Sequence, residues 1–250
     1  MDIKESSQMT ADEEYSHWWM RTRFYFLNKI VTPFLREKKA LRILEIGSGT
    51  GQNLRYFLSE HCLKNQIQEI VGVDTALQNK VQKYFWNSSV QCTGYQSLED
   101  VSFSEKFDLI VLMDVVEHLD EPVALLKKWK AYLKTDGIVY ITVPAMKILW
   151  SEHDVYLGHK RRYDLKLLQS TLAEAGFQTL DSRYFFFHIM PVVYVMRRLL
   201  SRFFMQKEVA SDLQKTNYFV NLLLLGLGKL ESFFGGNRIV GTSVFGVFRG

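Results

Sequence analysis

Residues 107–114 read FDLIVLMD, an apolar run of the kind buried on both faces of a sheet. Such a strand leaves no side for water, so it demands a layer above and a layer below. The stretch from Arg42 to Ala175 supplies both. Arg42–Ile46, QEIVGVD (Gln68–Asp74), Ser89–Cys92 and GIVYITVP (Gly137–Pro144) read as further strands. Between them Gln52–Ser59, Ala76–Asn87 and EPVALLKKWKAYLK read as helices. The last sets Val123, Leu126, Trp129 and Leu133 on one side. Asp164 suits the N-cap of a helix reaching Ala175, with Gly176 as its stop. This alternation predicts an α/β fold with a mostly parallel sheet and helices on both faces. Phe177–Phe186 and TSVFGVFR near the end read as two more strands.

Ahead of this core, residues 1–12 look loosely attached, and EEYSHWWMRTRFYFLNKIVTPFL reads as one helix with Pro33 near its end. The polar, acidic start argues against a signal peptide. Cys62 and Cys92 form neither a metal spacing nor a disulfide framework, which points to a reducing, cytoplasmic setting. A net charge of +4 on 250 residues gives no sign of a nucleic-acid binder. Late in the chain, YFFFHIMPVVYVM and NYFVNLLLLGLG are uncharged runs shorter than the roughly 18 residues that suggest a membrane span. Arg197, Arg198 and Arg202 beside apolar residues suggest a basic amphipathic helix. Two readings stay open for 184–234: a helical subdomain packed on the core, or peripheral contact with lipid.

The segment RILEIGSGTGQN places Gly47, Gly49 and Gly51 directly after the first strand. Glycines there let the backbone turn tightly and come close to a ligand. The spacing is G-x-G-x-G. Gln52 stands where a dinucleotide loop has its third glycine, and the Lys-Ser/Thr ending of a P-loop is missing. Asp74 and Asp114 end the next long strands, at the carboxyl edge where open α/β sheets bind ligands.

ILEIGSGTG, VGVD, FDLIVLMDVVEHL and LKTDGIVYITVP, in this order, resemble the successive motifs of class I S-adenosylmethionine-dependent methyltransferases. The resemblance implies a Rossmann-like fold with a seven-stranded sheet whose last strand is antiparallel. It divides the single domain into an N-terminal helical lid (1–40), a cofactor-binding core (41–182), an apolar helical insertion (183–238) and the last strand (239–250). It implies that Glu45, Gly47, Ser48, Gly49, Gly51 and Asn53 cradle the methionine part of the cofactor. Asp74 would hold the ribose hydroxyls, with Met113 and Asp114 close by. HWWMRTRFYFL, MDVVEHL and a Gly-His pair after the fifth strand narrow the likeness to the branch containing ubiquinone-biosynthesis O-methyltransferases. In that branch an arginine of the N-terminal helix meets the cofactor carboxylate. Arg23 is the best match and Arg21 the second, with Trp18 and Trp19 as lid residues.

Methyl transfer to a hydroxyl needs a base, and His118, His153 and His159 are the candidates near the strand ends. The branch binds a divalent metal through two acids and a histidine, matched here by Asp114, Glu117 and His118. Asp in place of Glu at the first position shortens the reach, and no metal is expected. KRRY (Lys160–Tyr163) reads either as an anion site or as a salt-bridged loop with Glu152 or Asp154. The expected function is methyl transfer from S-adenosylmethionine to a hydrophobic small molecule, at oxygen, with a histidine base. Nitrogen or carbon acceptors, and a non-catalytic cofactor-binding partner at a membrane, are the alternatives.

Overall fold

The structure is a computed structural model that describes residues 9–77, 79–83, 90–100, 106–197 and 216–250. Its helices are α1 (Ala11–Ser16), α2 (Trp18–Leu35), α3 (Gln52–Ser59), α4 (Pro122–Lys130), α5 (Glu152–Leu157), α6 (Leu165–Glu174), α7 (Met190–Val195) and α8 (Tyr218–Phe234). The strands are β1 (Leu41–Ile46), β2 (Ile67–Val73), β3 (Val81–Lys83), β4 (Gln91–Tyr95), β5 (Phe107–Met113), β6 (Leu133–Pro144), β7 (Gln178–Phe185) and β8 (Ser243–Arg249). They form one mixed sheet in the order β3-β4-β2-β1-β5-β6-β8-β7.

β1 pairs in parallel with both β2 and β5. The chain first builds outward on one side of β1 through β2 and β4, then returns to build the other side from β5. The loops after β1 and β5 therefore flank the point where the order reverses, which opens a crevice at their carboxyl ends. β8 runs antiparallel between β6 and β7 and closes that half of the sheet.

All seven residues of β5 are buried, as its sequence requires. On one face Phe24, Phe26, Leu27 and Val31 of α2 and Leu54 and Phe57 of α3 pack on the sheet. On the other, Leu126 and Trp129 of α4 and Leu168 and Leu172 of α6 do so. Asp164 caps α6 by accepting a hydrogen bond from the Leu167 N–H at 2.7 Å.

The structure departs from expectation in four places. The N-terminal helix is two helices, because His17 is extended (φ −62°, ψ 136°) and caps the second by accepting from the Trp19 N–H. No helix forms in the described part of 76–87. Val81–Lys83 instead pairs antiparallel with β4, making the sheet eight-stranded, and residues 78 and 84–89 lie outside the described residues. Val81 is exposed and gives no buried stripe to anchor a helix. Finally, α4 stops at Lys130 and β6 starts early, at Leu133. The Phe107 N–H donates to the Tyr132 carbonyl, so the edge of β5 captures the backbone there before the helix can run on.

Candidate cofactor and acceptor site

The glycine loop is built from left-handed residues. Gly47, Gly49 and Gly51 have φ of 77°, 51° and 81°. A Cβ on Gly47 would lie 2.4 Å from Val115 Cγ2, so the loop after β1 touches the loop after β5 only because that Cβ is missing. The N–H groups of Gly47 and Ser48 both donate to the Val73 carbonyl. Asp74 then accepts from the Gly49 N–H at 2.6 Å and from the Ala76 N–H at 2.9 Å. Each carboxylate oxygen keeps a second lone pair, so Asp74 can fix the loop and still receive a ligand hydroxyl.

Glu45 is fully buried and accepts from Asn53 Nδ2 at 2.5 Å, while its other oxygen has no partner. Burial pushes its pKa up to about 7, against the Asn53 hydrogen bond.

The two candidate arginines diverge. Arg21 forks onto both oxygens of Glu60 at 2.9 and 2.7 Å, away from the sheet edge. Arg23 is buried under Trp19, its guanidinium carbon 4.1 Å from the ring centroid. It pairs with Asp114 at 2.7 Å and donates to Thr142 Oγ1 at 2.9 Å. Asp114 has a φ of 57°, an uncommon conformation for a non-glycine residue. Its backbone N–H bonds to the Thr142 carbonyl, which pins it at the end of β5.

Two cavities meet at Asp114 and His118. One, of 400 Å³, is lined by Ile46, Gly47, Val73, Asp74, Val115 and Trp129 among others. Glu45, Ser48, Gly49, Gly51, Asn53 and Met113 are buried and do not line it. The other, of 320 Å³, has Trp18 and Trp19 on one side and Ile189, Val192, Val193 and Met196 on another. His118, His153, His159 and Arg162 also line it. The structure thus gathers all three candidate histidines around one space.

The rings of His118 and His159 stand edge to face with centroids 4.8 Å apart. His159 Nδ1 lies 2.9 Å from Asp154 Oδ1. Asp154 is fully buried, which would raise its pKa. The His159 hydrogen bond and the charges of Arg162 and Arg197 overcome this and hold it at about 2. Glu117 is the opposite case. Its two carboxylate oxygens are buried without hydrogen-bond partners, and burial, then Asp114, drive its pKa well up. One ligand atom from each of Glu117, His118 and His159 lies within 4.8 Å of the others, a spacing that suits a shared proton or cation.

Of the basic cluster, Arg162 bonds Asp154 at 2.8 Å and the Ala145 carbonyl at 2.9 Å. Arg161 donates to the Leu119 carbonyl and Lys160 pairs with Asp120. The salt-bridged alternative therefore describes Arg162. Sequence reasoning offered Asp154 as one of two salt-bridge partners for this cluster and missed its bond to His159, which makes it the hub of the loop. The signal was present in SEHDVYLGHKRRY, where two acids, Glu152 and Asp154, sit among two histidines, a lysine and two arginines. Of the other histidines, His17 caps α2, His61 is buried with its pKa lowered to about 4 by burial, and His188 pairs with Glu231.

Residues 19–182 match the family described as methyltransferase domain. The chain belongs to this family, whose methyl donor is S-adenosylmethionine. A tRNA U34 carboxymethyltransferase from Campylobacter lari is 27% identical over 116 residues, 45% of this chain and 38% of that protein. A ubiquinone biosynthesis O-methyltransferase from Bradyrhizobium diazoefficiens is 30% identical over 105 residues, 41% of this chain and 39% of that protein. The matched part thus spans about two fifths of the length of each curated relative. Phosphoethanolamine N-methyltransferase 2 from Haemonchus contortus, in complex with S-adenosyl-L-methionine, shares the fold with a TM-score of 0.54 at 17% identity. That alignment covers all of this chain and 60% of the other.

Such a nucleoside would need a wall it can approach closely and an acceptor for its hydroxyls, and the 400 Å³ cavity offers both. Its wall has a glycine where a side chain would collide, and a carboxylate with spare acceptor capacity at the end of β2.

Proposed function

We propose that the chain transfers a methyl group from S-adenosylmethionine to an oxygen nucleophile on a hydrophobic small molecule. The observation that carries this reading is the junction of the two cavities at Asp114 and His118. The glycine loop borders one, and apolar side chains with three histidines border the other. The cofactor supplies a sulfonium methyl open to displacement, so the protein's task is to position the nucleophile and remove its proton.

Residues 41–182 would form the binding core, with 1–40 and 183–238 covering it and 239–250 completing the sheet. Gly47, Gly49 and Gly51 shape the cradle, and Ser48, Asn53 and Glu45 hold it from beneath. Asp74 receives the ribose hydroxyls. Arg23, fixed by Asp114 and Thr142, gives a buried positive charge for the cofactor carboxylate, with Met113 buried in the strand that carries Asp114.

His159 is the best-supported base. Asp154 stays ionised and holds Nδ1 in place, which leaves Nε2 as the ring nitrogen available for proton transfer. His118 and His153 line the same space and orient the acceptor.

The test is turnover against a panel of hydrophobic phenols, with tritiated S-adenosylmethionine as donor. His159→Ala is expected to lower kcat by about 10²–10⁴-fold while leaving S-adenosylhomocysteine binding intact. Full turnover in that variant would remove His159 from the reaction.

A further inference from the structure

Gln52 is the residue beside the glycine loop that the cofactor reading leaves without a task. It stands where a dinucleotide loop has a glycine, and its side chain is buried. Gln52 Nε2 donates to the Ala11 carbonyl at 3.0 Å and reaches Glu14 Oε2 at 3.5 Å. Both neighbours are acceptors, so the amide turns its nitrogen to them. A glycine could make neither contact. Both partners belong to α1, the helix that precedes the lid helix α2.

Glu14 is the more unusual of the two. An acid in the first turn of a helix ordinarily sits in solvent and complements the macrodipole. Glu14 is 2% exposed instead. Thr50 Oγ1 donates to its two oxygens at 2.9 and 3.1 Å. Among the described residues, the side chains that bond this carboxylate are those of Thr50 and Gln52, the two neighbours of Gly51. Burial pushes the Glu14 pKa up, and the Thr50 hydrogen bond is the largest effect opposing the rise. Charge is costly at this place, so the contact calls for an acceptor rather than for an ion.

The loop needs such a hold. Its three glycines are left-handed, and nothing in a glycine's own chemistry keeps it there. The entry of the loop is fixed from the sheet, by the Val73 carbonyl on Gly47 and Ser48 and by Asp74 on Gly49. The exit is held from α1. Gly51 is the N-cap of α3 and has no side chain with which to cap it. α1 is itself seated on α3: Asp12 pairs with Arg55 at 2.7 Å, and the Tyr15 hydroxyl donates to Glu60 at 2.7 Å. The Arg55 guanidinium carbon lies 4.3 Å from the Tyr15 ring centroid. Asp12 and Tyr15 thus dock the helix, and Glu14 is the side chain it turns onto the loop.

We infer that Glu14 is a positioning residue for the cofactor, holding the Thr50–Gln52 corner of the glycine loop in its binding conformation. Glu14 lines neither cavity, so it acts through Thr50 and Gln52. The inference rests on the placement of the cofactor in the crevice between Gly47 and Asp74.

The test is isothermal titration of the full chain with S-adenosylhomocysteine, with thermal unfolding followed alongside. Glu14→Ala is expected to raise Kd about tenfold, the scale of one lost hydrogen-bonded anchor. Glu14→Gln keeps a carbonyl acceptor for Thr50 and is expected to restore binding. Thr50→Val removes the donor at an exposed position. It is expected to give the same loss, and it carries the test if Glu14→Ala does not fold. The double variant is expected to bind no more weakly than either single one, because both remove the same contact. Asp12→Ala frees Arg55 but leaves Glu14 in place, and is expected to bind as the wild type does. Unchanged affinity in a folded Glu14→Ala or in Thr50→Val overturns the proposal. So do a Gln variant as weak as the Ala variant, losses that add in the double variant, and an equal loss in Asp12→Ala. These results leave the crevice assignment standing. A folded wild type that does not bind S-adenosylhomocysteine overturns that assignment and the proposal with it.

Discussion

Arg23 of α2 and Asp114 at the end of β5 are joined by a 2.7 Å ion pair at the carboxyl edge of the sheet. The arginine side chain is 1% exposed and the aspartate 19%. The α2 helix is thereby locked to the end of β5, where the two cavities meet. Arg23→Leu removes the one partner that Asp114 Oδ2 has among the described residues and leaves a partly buried charge. It is expected to cost roughly 2 kcal/mol in urea unfolding, below the range for fully buried pairs because water reaches Asp114. It should also weaken S-adenosylhomocysteine binding. Unchanged stability and affinity together would mean that the pair is incidental.

Gly47 has no room for a side chain. Gly47→Ala would place its Cβ 2.4 Å from Val115 and force a strained φ. Strain at such a position costs about 1–3 kcal/mol. The expected result is a destabilised protein with little cofactor affinity, read by thermal unfolding and by titration. A variant that binds as the wild type does would show that the two loops need not touch.

The Asp154 hub carries a pH signature. Its folded pKa of about 2 lies below the ordinary aspartate value of 3.8. A depressed carboxylate pKa contributes stability that is present above the ordinary value and is lost as pH falls through the folded one. Asp154→Asn should therefore be less stable than the wild type at pH 7, by about 3 kcal/mol, because it strands Arg162 and its neighbours. The gap should close between pH 4 and pH 2. A gap that stays constant over that range would contradict the ion-pair account.

The two thiols differ in accessibility. Cys62 is exposed, whereas Cys92 is buried in β4 and burial pushes its pKa up to about 12. Ellman's reagent should titrate one thiol in the native protein and two in urea. Rapid reaction of both in the native state would show that β4 opens locally.

Much of this architecture was legible because it rests on short-range rules. FDLIVLM has no polar face, so it had to be a central strand. Asp164 and Gly176 marked the ends of α6, and Gly47, Gly49 and Gly51 announced left-handed turns. Long-range facts were hidden. Arg23 ranked above Arg21 through the family resemblance alone; the contacts that separate them come from the turn of α2 against the sheet, which sends Arg21 to Glu60 and Arg23 to Asp114. The pairing of His159 with Asp154 depends on Gly158 reversing the chain after α5. The β3 edge strand is three residues long and gains its order from backbone bonds to β4, which propensity does not encode. The sequence showed that 184–234 was apolar, but only the structure shows α8 meeting α2 through Gly228 against Thr22 while Phe219 and Phe233 stay exposed. No helix among the described residues is long and apolar enough to cross a membrane.

The most direct measurement is isothermal titration of the wild type and of Asp74→Ala with S-adenosylhomocysteine, the product of the proposed reaction. The account predicts saturable binding to the wild type. It predicts a loss of about 1–3 kcal/mol in the variant, the range for a hydrogen-bonding partner removed from a site. A folded wild type that does not bind would contradict the placement of the cofactor in the crevice between Gly47 and Asp74.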